Sequence, residues 1–170
     1  MKSFREDWEI LKRNPWRPLL YSILFLVLGG LSAWIGGGFS LYSTLDLPPF
    51  SPPGAIFPIV WTILYIGLGV SAALFLEAAP SQEDRQRGGL FFFTMMLFNY
   101  LWTPLFFRLN AYFPALIDIV VMIVLTIAVL PYLRKSTRLG HLLTTVFLIW
   151  LFYAFYLTLG VVILNKTSIH

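Results

Sequence analysis

Five apolar runs dominate this chain, and each is close to the roughly 20 residues that an α-helix needs to cross the hydrocarbon core of a bilayer. Charged residues make up only 12% of the chain, about half the fraction expected of a water-soluble domain. The sequence therefore predicts an all-α, multi-pass integral membrane protein built as a bundle of five transmembrane helices. The predicted spans are 19–39, 55–76, 89–107, 114–133 and 140–164.

A short segment precedes the first span. Residues 3–12 are predicted to form an amphipathic helix, because Ser3 and Glu6 have the spacing of a capping box and Phe4 and Trp8 share one face. Such a helix would lie in the membrane interface. A frayed polar tail is the alternative interpretation, and the sequence leaves both open.

The basic residues are distributed unevenly between the two sides of the predicted bundle. Ten of them precede the first span or lie in the loops after the second and fourth spans, whereas Arg108 and Lys166 lie on the other side. The positive-inside rule then places the N-terminus in the cytoplasm and the first loop and C-terminus on the opposite side. We divide the chain into an interfacial segment at 1–17, a membrane domain at 18–165 and a short tail at 166–170.

The first loop is rich in proline. Pro48, Pro49, Pro52 and Pro53 directly precede the second span. Proline has a fixed φ and no backbone N–H, so this stretch cannot itself be a regular membrane helix. We expect it to form a stiff cover over the ends of neighbouring helices.

Two polar residues are placed at membrane depth. An unpaired amide is costly in hydrocarbon, so Asn99 must face the bundle interior, where a structural hydrogen bond and a ligand contact are both open interpretations. Asp118 lies one turn inside the fourth span and requires a partner or water. We predict a structural pair between Asp118 and Arg108, which directly precedes that span; a functional carboxylate is the alternative.

Aromatic residues make up 18% of the chain, more than a lipid-facing surface requires. The second span carries Trp61 and Tyr65, the third carries Trp102, and in the fifth Trp150 shares a helix face with Ala154. These residues predict an aromatic-walled cavity between the helices. Such a cavity suits a flat, apolar ligand with a few polar substituents.

Signatures of catalysis, metal binding and cofactor binding are missing from the sequence. The chain has no cysteine, and its histidines, His141 and His170, lie far apart near a helix start and the chain end. No glycine-rich phosphate loop precedes a helix. The basic residues lie between apolar spans, so we predict no nucleic-acid partner. We therefore assign no catalytic residue, no metal ligand and no obligatory cofactor.

Five strings of the sequence together resemble the TspO/MBR family, which includes tryptophan-rich sensory proteins, translocator proteins and the peripheral-type benzodiazepine receptor. Their order and spacing match across nearly the whole chain after the N-terminal segment. The strings are LYSTLDLPPFSPP at 41–53, PIVWTILY at 58–65, LFNYLWTPLFF at 97–107, ALID at 115–118 and WLFYAF at 150–155.

The resemblance implies a five-helix bundle with a ligand pocket closed by the first loop, and homodimers embedded among membrane lipids. It implies porphyrin, haem, sterols or drug-like molecules as ligands. By resemblance, pocket positions fall on Tyr42, Trp61, Asn99, Trp150 and Ala154, and lid positions on Pro48, Phe50, Pro52 and Pro53. Trp102 and Asp118 also match family motif positions.

The chain departs from the family pattern at several of these strings. Phe50 and Leu41 stand where the lid usually has tryptophan, and Thr158 stands where animal members have asparagine. These changes weigh against cholesterol binding of the animal type and against oxidative chemistry that needs indoles. We expect a noncatalytic binding and sensory protein. The alternatives are a light-assisted porphyrin-degrading enzyme and a transporter of tetrapyrroles or sterols.

Overall fold

A computed structural model describes residues 3–37 and 40–165, and this part of the chain is helical without strands. Five of its helices are long and apolar enough to cross a membrane, which confirms the predicted all-α membrane bundle. The helices are α1 (Phe4–Arg13), α2 (Trp16–Ile35), α3 (Ile56–Ala78), α4 (Gln82–Thr103), α5 (Tyr112–Ser136) and α6 (Arg138–Leu164).

The helix boundaries agree with the predicted spans within a few residues, except at the start of α4. This helix begins seven residues before the predicted 89–107, because the Ser81 hydroxyl accepts a hydrogen bond from the Asp84 N–H at 3.0 Å and caps a polar first turn. A π-helical turn, Pro104–Arg108, ends the third span. The last two residues of the predicted first span and the predicted tail at 166–170 lie outside the described residues.

The five long helices form a closed ring. Helix α2 packs against α3, α3 against α6, α6 against α5 and α5 against α4, and α4 returns to α2. Helices α2 and α3 approach closely where Gly69 faces Ser22, since a Cβ atom at position 69 would overlap the Ser22 backbone. The Ser22 hydroxyl donates to the Ile66 carbonyl at 3.1 Å across the same contact. Small residues thus set the spacing of these two helices.

Helix α1 is docked on one end of the bundle and begins with the predicted capping box. Asp7 is fully buried, and its Oδ2 accepts a hydrogen bond of 2.8 Å from the Leu139 N–H in the first turn of α6. Arg13 and Arg17 both form ion pairs with Glu77 near the end of α3. This end of the bundle is called the α1 end below, and the opposite end, which carries the first loop, is the lid end.

The predicted pair between Arg108 and Asp118 is wrong. Arg108 is exposed, and its Nη1 donates to the Ile35 carbonyl at 3.1 Å. The π-helical turn directs the side chain toward the end of α2 instead of toward α5. Asp118 is 4% exposed, and neither of its carboxylate oxygens has a hydrogen-bond partner among the described residues.

Candidate functional site: an aromatic interior beneath the first loop

The first loop is attached to α6 along its length. The Tyr156 hydroxyl donates to the Pro49 carbonyl at 2.7 Å and the Tyr153 hydroxyl donates to the Phe50 carbonyl at 2.8 Å. Just after α6, the Asn165 side-chain nitrogen Nδ2 donates to the Asp46 backbone carbonyl at 2.9 Å, and the Asp46 N–H donates back to the Asn165 side-chain oxygen Oδ1 at 3.1 Å. Four side-chain hydrogen bonds therefore hold residues 46–50, the central part of the lid, on the end of the bundle.

The lid also packs directly on the α6 backbone. Pro48 is buried against Gly160, where a Cβ atom would overlap the proline ring. Phe50 has a φ of 62°, in the left-handed region that a phenylalanine adopts at a cost, and its ring is 90% exposed. The Tyr153 hydroxyl therefore donates to the carbonyl of a residue that adopts an unfavourable backbone conformation.

Replacing both tyrosines by phenylalanine, Tyr153→Phe with Tyr156→Phe, is expected to release the lid without unfolding the helices. Each lost hydrogen bond is worth about 1 kcal/mol, so the open population should rise by roughly 30-fold. Amide hydrogen exchange of the peptide covering 41–51 measures this directly. Tyr132→Phe, at the α1 end, removes a hydroxyl far from the lid and should leave the exchange unchanged. Equal exchange in the double variant and the wild type would show that the tyrosines do not hold the lid.

Beneath the lid, aromatic rings form a continuous chain of contacts. Tyr42 meets Phe57 edge to face at a centroid distance of 5.0 Å, and Phe57 meets Trp150 at 6.3 Å. Trp150 stands nearly perpendicular to Trp61 at 6.3 Å, and Trp61 stacks on Tyr65 at 5.5 Å. The aromatic rings that the sequence predicts on the second and fifth spans are therefore in contact between α3 and α6.

Two cavities border this chain of rings. One, of about 160 Å³, lies between α2 and α3 and opens on the outer surface of the bundle through exposed Gly30, Pro58 and Thr62. Trp61 and Tyr65 form its inner wall. The other, of about 20 Å³, lies under the lid. Its walls are Tyr42, Phe57, Trp102, Phe106, Phe107, Ala154, Leu157, Thr158 and Val161.

Asn99 has one partner and one free group. Its carbonyl oxygen accepts a hydrogen bond of 2.8 Å from the Tyr65 hydroxyl, so α3 and α4 are joined inside the bundle. Its amide nitrogen is buried without a hydrogen-bond partner. The structural hydrogen bond that the sequence left open is therefore present, and it uses only half of the amide.

Other buried donors of the interior also lack a hydrogen-bond partner, as the Asn99 nitrogen does. Burying a polar group without a partner costs about 1–3 kcal/mol, so such groups are uncommon and require an explanation. Burial also raises the pKa of the Tyr42 hydroxyl above its usual range. The buried donors without a partner among the described residues are Tyr42 Oη, Asn99 Nδ2, Tyr100 Oη, Trp102 Nε1 and Trp150 Nε1.

The predicted site residues therefore fall into two groups. Tyr42, Trp102 and Ala154 line the lid cavity, Trp61 and Tyr65 line the lateral cavity, and Trp150 and Asn99 touch residues of these walls. The lid residues Pro48, Phe50, Pro52 and Pro53 border neither cavity, and their contact with a ligand stays a prediction. Pro48 is buried, Pro52 is half-buried and Pro53 is exposed.

The sequence reasoning missed Phe57, Phe106 and Tyr100. Phe57 precedes Trp61 by one helical turn, and Phe106 follows Trp102 by the same interval, so helical spacing from the predicted residues could have identified both. Tyr100 lies in the polar and aromatic cluster of the third span with Asn99 and Trp102, but helical spacing does not relate it to the predicted site residues. It faces Tyr65 at a centroid distance of 5.9 Å, a contact that depends on how α3 and α4 pack.

Comparison with known proteins gives a consistent result. The model of the TspO/MBR family matches residues 5–164. The tryptophan-rich protein TspO of Chlorobaculum tepidum is 29% identical over 73% of this chain and 78% of its own length. The translocator protein homolog of Schizosaccharomyces pombe is 30% identical over 73% of this chain and 77% of its own. The translocator protein of Bos taurus is 34% identical over 62% of this chain and 64% of its own length.

Proposed function

The chain belongs to the TspO/MBR family, and from that premise we propose that it is a membrane-embedded binding and sensory protein for porphyrin, haem or a related flat hydrophobic ligand. The ligand would occupy the interior beneath the lid, between α3, α4 and α6. The residues of that interior would bind the ligand and would carry out no chemical step on it.

The buried donors without partners carry this proposal. Each of the five is uncharged, and each belongs to the lid or to a helix around the aromatic interior. A ligand with carbonyl, carboxylate or ring-nitrogen acceptors would supply the missing hydrogen bonds and recover the cost of burying these donors. A ligand without acceptors would leave that cost in place, so the donors favour a flat molecule that carries polar atoms.

The aromatic walls of the interior suit a flat ligand. The two cavities described above are too small for a large ligand. The faces of Trp61 and Trp150 stand at 85° to each other, and each can stack on an aromatic system. The cavities of about 160 and 20 Å³ are smaller than the roughly 300–1,000 Å³ of typical small-molecule pockets. Binding of a porphyrin therefore requires the lid and some of the rings to move.

We also propose that the lid end faces away from the cytoplasm. The α1 end carries Arg13, Arg17, Arg134 and Lys135, whereas Arg108 is the basic residue of the described lid end. This asymmetry supports the orientation that the positive-inside rule predicts. The ligand would then reach the lid from the non-cytoplasmic side or enter sideways from the bilayer.

The proposal is tested by titrating the purified protein with protoporphyrin IX, haem and cholesterol while following tryptophan fluorescence. Trp61, Trp102 and Trp150 border the proposed site, so we expect saturable quenching by a porphyrin at one ligand per chain. Quenching that rises linearly without saturation for all three molecules would overturn the proposal. Loss of porphyrin absorbance under illumination beyond the protein-free control would instead favour the degradative alternative.

A further inference from the structure

A second open groove lies at the α1 end of the bundle, remote from the lid. It has a volume of about 590 Å³ and runs along α5 to the first turn of α6. None of its walls belongs to the aromatic interior. Its lining residues are Ile127, Leu130, Pro131, Arg134, Lys135 and His141.

The groove separates charged from apolar residues along the helix axis. Arg134 and Lys135 lie in the last turn of α5, at the polar margin of the span, whereas Ile127 lies seven residues deeper. Seven helical residues correspond to roughly 10 Å. Ile127 is 50% exposed, so an apolar surface directly underlies the two cations. A phospholipid has the same order of groups, with a phosphate above its acyl chains.

The charges around the groove favour an anion. Its walls carry two basic side chains and an imidazole and no carboxylate. Among the described residues Arg134 has no ion pair, and Lys135 lies 3.4 Å from Asp84 on the far side of α5 with 60% of its side chain exposed. The neighbouring groove across Pro131 differs, because Glu83 and Asp84 line it together with Arg87 and Lys135.

From this arrangement we infer that the groove of α5 and α6 is a binding site for an anionic phospholipid. The phosphate contacts Arg134 and Lys135, and an acyl chain lies on Ile127 and Leu130. Basic pockets beside transmembrane helices are a general means of holding acidic headgroups, and each basic residue near the surface adds about fivefold to the affinity. The site would fix which lipid surrounds the α1 end of the bundle.

The test compares dioleoyl phosphatidylglycerol with dioleoyl phosphatidylcholine, bound to the purified full chain and counted by native mass spectrometry. We expect tighter retention of phosphatidylglycerol by the wild type. The double variant Arg134→Gln with Lys135→Gln should bind this lipid about 30-fold more weakly. The control Arg85→Gln with Arg87→Gln removes the same charge from the same end of the bundle, and it should stay within about twofold of the wild type.

A second variant tests the apolar half of the groove without changing any charge. Ile127→Trp fills the exposed surface below the cations and should weaken phosphatidylglycerol binding at least fivefold. Inorganic phosphate at millimolar concentration should not displace the lipid. Equal losses of phosphatidylglycerol binding in both double variants would mean that binding depends only on surface charge. That result would overturn the site. Displacement by phosphate would overturn the assignment to a lipid, and no preference over phosphatidylcholine would overturn the assignment to an anionic headgroup.

Discussion

Asn99→Ala is expected to weaken porphyrin binding by about 10- to 100-fold while the bundle still folds. The substitution removes a buried donor that has no protein partner, and an unmade hydrogen bond of a buried group costs about 1–3 kcal/mol. It also leaves the Tyr65 hydroxyl without its acceptor at 2.8 Å, so a modest decrease in thermal stability should accompany the loss of affinity.

The matched control for this variant is Tyr65→Phe. It breaks the same hydrogen bond between α3 and α4 but keeps the Asn99 side chain, so it separates a structural effect from a ligand contact. Because the phenyl ring at position 65 still forms the cavity wall, fluorescence titration should show at most a small loss of affinity in Tyr65→Phe and a large loss in Asn99→Ala. Equal losses in both would mean that Asn99 acts only through Tyr65. Unchanged affinity in Asn99→Ala would remove Asn99 from the proposed site.

Gly69→Ala is expected to destabilise the bundle by about 3 kcal/mol or more, and Gly69→Val to prevent its assembly. A side chain at this position would overlap the backbone of Ser22, and two helices joined by a long interface cannot separate locally. Overpacking of flexible side chains typically costs 1–3 kcal/mol, and an overlap with backbone is harder to relieve.

Gly67→Ala is the matched control on the same helix. A Cβ atom there would lie 3.5 Å from Leu143 Cδ2, an ordinary van der Waals distance, so this variant should stay within about 1 kcal/mol of the wild type. Thermal unfolding in detergent, followed by circular dichroism, compares the two. Equal stability of Gly69→Ala and the wild type would contradict the close approach of α2 to α3.

The five spans could be predicted from the sequence because the length of an apolar run is a local property that the bilayer thickness fixes. The error at the start of α4 has the same origin. The polar stretch after Gln82 continues the helix beyond the apolar run, and hydropathy carries no signal for that extension. The prolines likewise identified the nonhelical stretch 48–53 of the first loop, since their effect on the backbone does not depend on distant residues.

Pairing between spans could not be read from the sequence in the same way. Arg108 and Asp118 are ten residues apart in the chain, yet the turn between them directs Arg108 to the carbonyl of Ile35. The partner of Asn99 was equally unpredictable, because Tyr65 reaches it only through the rotation of α3 against α4. The aromatic residues of the sequence indicated an aromatic-walled interior, whereas the packing of the helices determines which rings are in contact.

The paired hydrogen bonds between Asp46 and Asn165 join the end of α6 to the lid. Asn165 directly follows α6, so a mechanical load applied at this residue reaches the first loop through its side-chain hydrogen bonds. An affinity tag or fluorescent protein fused there would pull on the cover of the interior and bias ligand measurements. The same linkage makes Asn165 a suitable position for a reporter of lid movement, whereas an inert label belongs on the exposed loop between α3 and α4.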